Sequence, residues 1–202
     1  NCTVISLSNM PPSRLKFPPV NAPCPTIRNY QQEKEMQQER TYNVLVLCTG
    51  NSARSILGEA LFNALGKGRF IAHSAGSKPG GQVNPFALEL LKQQGFGTEG
   101  LRSKSWDEFA VPGAPEFDFI FTVCDNAAGE ACPLWLGKPA TAHWGIPDPA
   151  AVTGDDATKR AAFRKASDQL ARRIQLFMNL PIGKLDKLVL KEKLAEIGRI
   201  KG

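Results

Sequence analysis

Four strand-forming apolar residues, Val44, Leu45, Val46 and Leu47, run directly into Cys48-Thr49-Gly50-Asn51-Ser52-Ala53-Arg54-Ser55, and then into Ile56, Leu57, Ala60, Leu61 and Phe62 at helical spacing. The first stretch lacks polar alternation and suits a parallel strand buried on both faces, while the last repeats as an amphipathic helix. The loop between them must turn the chain within a few residues. The helix it opens has N–H groups without intrahelical partners, and these donors favour negative charge. A cysteine ending the strand is therefore favoured as the attacking thiolate, and the same donors can hold a tetrahedral oxyanion against the sulfur. Cys48 is the candidate nucleophile, and Arg54 adds a planar fork of donors that lysine cannot reproduce. Gly50 permits a tight turn, Asn51 tolerates a left-handed backbone, and Ser52 and Ser55 supply hydroxyls. Together Thr49, Gly50, Asn51, Ser52, Ala53, Arg54 and Ser55 form the expected oxyanion-binding loop.

Beyond this unit the pattern alternates. A helix over 56–65 stops at Gly66, and 70–74 reads as a second strand. Asn84-Pro85 supplies a cap and a preset first residue for a helix over 86–93 that Gly95 ends. Ser105-Trp106-Asp107-Glu108 fits a capping box, and 117–124 is a strongly apolar strand. A further strand closes at Ala142-His143, and helices are expected over 157–180, before Pro181, and 185–197, before Gly198. This is an α/β chain with a parallel sheet. Ligand sites in such sheets gather at the carboxyl ends of strands, so Cys48 and Cys124, which each end an apolar strand, are expected at one edge.

The chain has 202 residues and a formal charge of +6. Residues 43–183 carry only +1 of it, so the basicity lies in the two ends. With no stripe of basic and aromatic residues, nucleic-acid binding is not expected. Residues 1–41, rich in proline and then in Gln, Glu and Lys, are expected to be a disordered leader to a domain that can start near Met36. Residues 42–182 form the catalytic domain, and 183–202 a charged helix. The five cysteines, Cys2, Cys24, Cys48, Cys124 and Cys132, fit reduced thiols in a cytoplasmic protein better than a secreted disulfide scaffold. No stretch reaches transmembrane length. A zinc site from Cys124, Cys132, His73 and His143 is disfavoured because no ligand pair has compact spacing.

Two further features carry chemistry. Cys124-Asp-Asn-Ala-Ala-Gly-Glu-Ala-Cys132 places thiols at both ends of a loop of small residues. Each thiol taken alone is a buried strand end or an incidental surface group. Beside an oxidised Cys48, the pair can take over and carry away a disulfide. Asp148, in Ile146-Pro147-Asp148-Pro149-Ala150, is pinned between prolines as a general acid requires, although Asp-Pro is also ordinary turn chemistry.

The segment 44–57 resembles the signature of the low-molecular-weight protein tyrosine phosphatase superfamily, in particular the arsenate reductases built on that fold, and the similarity runs over 43–181. The resemblance implies an open, mainly parallel four-stranded twisted sheet flanked by helices. It also implies reduction of arsenate to arsenite, with Cys48 as nucleophile, Cys124 as second thiol, Cys132 as resolving thiol and Asp148 as acid. Phosphate and sulfate are then competing anions, and the external reductant is thioredoxin or a glutathione/glutaredoxin system. Ala53 stands where several thioredoxin-coupled relatives carry another cysteine, which leaves the donor open. Some relatives bind potassium beside the loop, with Asn51, Glu59, Ser74 and Asp107 as counterparts here. The alternative is hydrolysis of phosphate monoesters through a phosphocysteine. Tyrosine phosphatases of this fold commonly place an aromatic residue after the Asp-Pro, where this chain has Ala150. His143 and Trp144 line the site mouth or, for Trp144, pack in the core.

Overall fold

A computed structural model describes residues 40–129, 135 and 137–200. The 1–39 part of the expected leader, the helix end beyond residue 200 and Cys132 lie outside the described residues.

Strand β1, Tyr42–Cys48, is central, and residues 44–47 are each no more than 1% exposed, as a strand covered on both faces requires. It pairs in parallel with β2, Phe70–Gly76, on one side and with β3, Phe119–Thr122, on the other. β4, Ala140–His143, adds outside β3, giving four parallel strands in the order β2-β1-β3-β4. The parallel α/β architecture expected from the sequence is borne out. Alternation along the strands splits the interior in two. Val44, Val46, Phe119 and Phe121 join the helical core, while Leu45, Leu47 and Ile120 meet Phe117, Trp106 and Phe109 on the other face.

Helix α1, Arg54–Gly66, lies so close to β1 that a Cβ at Gly58 would stand 2.8 Å from a Val46 methyl. α1 ends one residue later than expected, because Gly66 stays helical and Lys67 takes the left-handed cap at φ 47°. Helix α2, Pro85–Gln93, starts on Asn84, whose side chain accepts the Phe86 N–H as the Asn-Pro pair predicted. Ser105 caps only a 3₁₀ turn, Trp106–Phe109; the Glu108 carboxylate binds Arg102 instead of closing a capping box. The segment after Cys124, expected to be a loop, begins as a short helix α3, Asp125–Gly129.

Helix α4, Asp156–Met178, is capped by Asp155, and α5, Lys187–Gly198, by Asp186, which accepts two N–H bonds. α5 packs on the sheet through Leu190, Leu194 and Ile197. Trp144 is a core residue and does not line a mouth: it is 1% exposed, its ring stacks on Phe121 at 4.0 Å, and its Nε1–H donates to the Leu194 carbonyl. Arg173, also buried, donates to the carbonyls of Trp144, Gly145 and Ile200, fastening α4 to the end of β4 and to the C-terminal tail. Burial pushes its guanidinium below the ordinary arginine value. These anchors set where the chain leaves β4 toward Asp148. Among the described residues, no helix is long and apolar enough to cross a membrane.

Candidate active site

The loop after β1 is shaped by segments far away in sequence. The carbonyls of Thr49, Gly50 and Ser52 accept the N–H groups of Lys78, Gly80 and Asn84 at 2.9–3.0 Å. Because the N–H of a trans peptide points opposite to its C=O, three outward carbonyls aim the N–H groups of Gly50, Asn51 and Ala53 inward. One of these is visible in the bonding: Asn51 N–H donates to Cys48 Sγ at 3.1 Å. Ala53, the N-cap of α1, offers no side-chain acceptor, so the start of α1 is left to an anion. The result is a cup of donors around a buried sulfur, the concavity that holds tetrahedral anions.

Gly50 turns out to be sterically undemanding, since a Cβ there would meet only Ser52 Oγ at 3.7 Å. The glycine that matters is Gly76, opposite Cys48 in the β1–β2 register, where a Cβ would stand 2.4 Å from the Thr49 carbonyl oxygen. Asn51 carries the positive φ, 43°, and is fully buried. Its Nδ2 donates to Ser55 Oγ at 2.9 Å and to Ser74 Oγ at 2.8 Å, and its Oδ1 accepts the Lys104 N–H at 2.8 Å. Ser55 Oγ lies 2.9 Å from Cys48 Sγ.

Arg54 reaches across the mouth. Its Nη2 pairs with Asp148 Oδ2 at 2.8 Å, and its Nη1 donates to the Ile146 carbonyl at 3.2 Å. The Arg54 side chain is 16% exposed and that of Asp148 38%, so the pair sits at the rim where an anion would enter. Asp148 Oδ1 accepts the Ala150 N–H, which pins the carboxyl in the Pro-flanked turn.

Cys124 lies two residues beyond β3, which neighbours β1, and its buried Sγ is 3.5 Å from Thr49 Oγ1 and accepts the Ala127 N–H at 3.4 Å. The structure therefore gathers Cys48, Arg54, Asp148 and Cys124 at one sheet edge, and Cys48 and Cys124 are free thiols. His143 ends β4 nearby: its Nδ1 meets Thr122 Oγ1 at 2.9 Å and its Nε2 meets Asp125 Oδ1 at 3.0 Å. Among the described residues, no cluster of three or more His, Cys, Asp or Glu is placed to hold a metal.

The four potassium counterparts do not converge. Asn51, Ser74 and Glu59 share one buried network, but the Asp107 carboxylate is on an exposed turn, where it accepts from Ser105 Oγ. The Glu59 carboxylate is already faced by the Lys104 ammonium at 3.3 Å, which also donates to the Arg102 carbonyl. The residues present do not fit a potassium ion. Lys104 was not singled out in the sequence. The available signal was Glu59 itself, a carboxylate in a stretch of α1 whose neighbours are all buried and which therefore needs a cation.

Comparison with known proteins agrees with this geometry. The family model for low-molecular-weight phosphotyrosine protein phosphatase matches residues 43–192. Arsenate reductases from Halalkalibacterium halodurans and Bacillus subtilis are 34% and 31% identical over 134 residues, 66% of this chain and 93% of each relative. The crystal structure of an arsenate reductase from Archaeoglobus fulgidus superimposes with a TM-score of 0.50 at 30% identity, over 65% of this chain and 98% of that one. A low-molecular-weight protein tyrosine phosphatase from T. tengcongensis shares the fold, with a TM-score of 0.55 at 22% identity, over 75% of this chain and 99% of that one. The chain belongs to the low-molecular-weight phosphotyrosine protein phosphatase family, among the arsenate reductases of that fold.

Proposed function

We propose that this protein reduces arsenate to arsenite in the reducing cytoplasm, with electrons from an external thiol system, thioredoxin or glutathione/glutaredoxin. The observation that carries the reading is a second buried thiol, Cys124, against the anion loop at Thr49 Oγ1, in a chain 34% identical to an arsenate reductase. Ester hydrolysis has no use for that thiol.

In the proposed sequence the loop amides and Arg54 bind arsenate, and phosphate and sulfate compete for the same cup. The Cys48 thiolate attacks arsenic, forming an S–As bond, while an arsenate oxygen leaves as water with a proton from Asp148. Cys124 thiolate then attacks Cys48 sulfur. The S–As bond breaks, its electron pair stays on arsenic, and arsenite departs from a Cys48–Cys124 disulfide. Cys132 thiolate attacks Cys124 sulfur, which frees Cys48, and the external dithiol reduces the Cys124–Cys132 disulfide.

The test is a single turnover of fully reduced protein with arsenate, with arsenite quantified and the disulfide located by peptide mapping. One arsenite per protein and a disulfide that includes Cys124 are expected. Cys124→Ser should lose arsenate turnover while hydrolysing an activated aryl phosphate as well as the parent. Undiminished arsenite formation by Cys124→Ser, with thioredoxin and with glutathione, overturns the relay.

A further inference from the structure

Behind the anion loop lies a buried chain of side chains whose hydrogen bonds diverge from the Asn51 amide, toward Glu59 on one side and Cys48 on the other. Glu59 carboxylate can only accept, so Ser74 Oγ spends its single proton on Glu59 Oε2. Ser74 Oγ must then accept from Asn51 Nδ2, and the second proton of that amide goes to Ser55 Oγ. The orientation of the amide is set independently, because the backbone N–H of Lys104 faces it and demands an oxygen there. Ser55, already receiving a bond, has its own proton left for Cys48 Sγ, 2.9 Å away. With the amide so oriented, a carboxylate accepts at one end of the chain and a hydroxyl donor is aimed at the sulfur at the other.

The Ser74 bond needs a charged Glu59 in a site where that residue is 8% exposed, which an isolated carboxylate resists. Lys104 supplies the balancing charge. It is 6% exposed, its ammonium stands 3.3 Å from Glu59 Oε2, and the Gly76 N–H to Lys104 carbonyl bond ties its backbone to the end of β2. A single residue therefore holds the chain at two points, Glu59 at its end through the ammonium and Asn51 at its branch point through the N–H.

We propose that Lys104 is an internal cation: its ammonium takes the place of a bound alkali metal ion against Glu59 and, with its backbone N–H on Asn51 Oδ1, holds in place the Glu59–Ser74–Asn51–Ser55 chain that ends on Cys48 Sγ. Lys104 is a positioning residue that acts through Asn51 and Ser55, and the protein needs no potassium. The inference rests on Cys48 as nucleophile, but not on arsenate as substrate.

The experiment measures the rate of Cys48 alkylation by iodoacetamide at neutral pH, with Cys48→Ser as the blank. It also measures kcat and KM for aryl phosphate hydrolysis, in potassium, ammonium or tetramethylammonium chloride at equal ionic strength. The parent should be indifferent to the cation. Lys104→Met in tetramethylammonium should be alkylated about tenfold more slowly and lose kcat more than KM, and potassium or ammonium should restore much of the loss. If that variant does not fold, the paired Lys104→Met/Glu59→Gln protein removes both charges. It should be slowed about as much and show no cation response, because no carboxylate remains to bind one. A parent clearly stimulated by potassium overturns the proposal. So does a folded Lys104→Met, or the paired variant, alkylated at the parental rate. A parent that shows the expected alkylation and cation response but forms no arsenite from arsenate would instead count against the function proposed above.

Discussion

Asn51→Ala should be among the more damaging single changes outside the hydrophobic core, and the structure gives its size. The side chain makes three buried hydrogen bonds, to Ser55, Ser74 and the Lys104 N–H. At a net worth of about 1 kcal/mol each, their loss costs about 3 kcal/mol. The backbone is held at φ 43°, where alanine pays about 1 kcal/mol that asparagine largely avoids. The expected destabilisation is about 4 kcal/mol, a large part of the roughly 5–15 kcal/mol that keeps a domain folded. For a domain of this size that is a drop in Tm of about 10 °C.

Urea unfolding followed by tryptophan fluorescence measures it, because Trp144 is stacked in the core. Asn51→Gly separates the two contributions, since glycine adopts the left-handed backbone freely. It should recover about 1 kcal/mol relative to alanine and still lack the three bonds. An Asn51→Ala protein within about 1 kcal/mol of the parent, or one no less stable than Asn51→Gly, would refute the reasoning.

Gly76→Ala places a Cβ 2.4 Å from the Thr49 carbonyl oxygen, so about 1–3 kcal/mol of stability should go. Phosphate should also raise its melting temperature less than it raises that of the parent; an unchanged phosphate response sinks this. Arg54→Lys keeps the charge but loses the fork, and kcat/KM for an aryl phosphate should fall about 10- to 100-fold, whereas a change within twofold would show that only charge counts. His73 is held below its ordinary value of 6.5, first by burial and then by Lys104 against the opposing pull of Glu59. The unfolded chain therefore takes up this proton first, so stability is complete above about 6.5 and declines as pH falls from there toward the lowered native value. His73→Gln should flatten that decline in urea titrations, and an unaltered slope would place the pH dependence elsewhere.

What could be read from the sequence was local. The strand, loop and helix around Cys48 follow from eight polar and small residues between an apolar run and a helical stripe, and Asn84 caps the helix it precedes, whereas Asp186, inside the helix expected from residue 185, is its cap. What could not be read was made by register. Nothing in Ser103-Lys104-Ser105 marks a core residue; the Gly76–Ser105 bridge beside β2 and the Lys104 N–H bond to Asn51 carry Lys104 inward to Glu59. Gly76 looks like the frayed end of a strand, yet it is the position whose emptiness lets the anion loop pass. Arg173 sits in a polar stretch of α4, and its three carbonyl partners come from β4's exit and the tail. The residues after Cys124 are small, which allows mobility, but alanines also favour helix, and the helix won.

These long-range ties have a consequence for the order of events at the site. The inward amides are set by Lys78, Gly80 and Asn84, and the Ser55 donor by the buried chain behind it, so neither waits for an anion. The cup and the sulfur are ready beforehand, which is the condition under which such donors act without reorganising. The rim differs, because Arg54 is committed to Asp148 and to the Ile146 carbonyl. A tetrahedral dianion entering the cup competes for that fork, and as Arg54 turns to it the Asp148 Oδ2 atom loses its cation. The carboxyl then stands at the mouth, held by the Ala150 N–H but without its Arg54 partner. On the proposed function, arrival of the anion and release of Asp148 are one exchange of partners at Arg54. Asp148→Asn tests this directly: it should bind phosphate at least as tightly as the parent, because Arg54 no longer has a competing carboxylate, while losing the chemical step. Weaker phosphate binding by Asp148→Asn would show instead that Asp148 positions Arg54 for the anion.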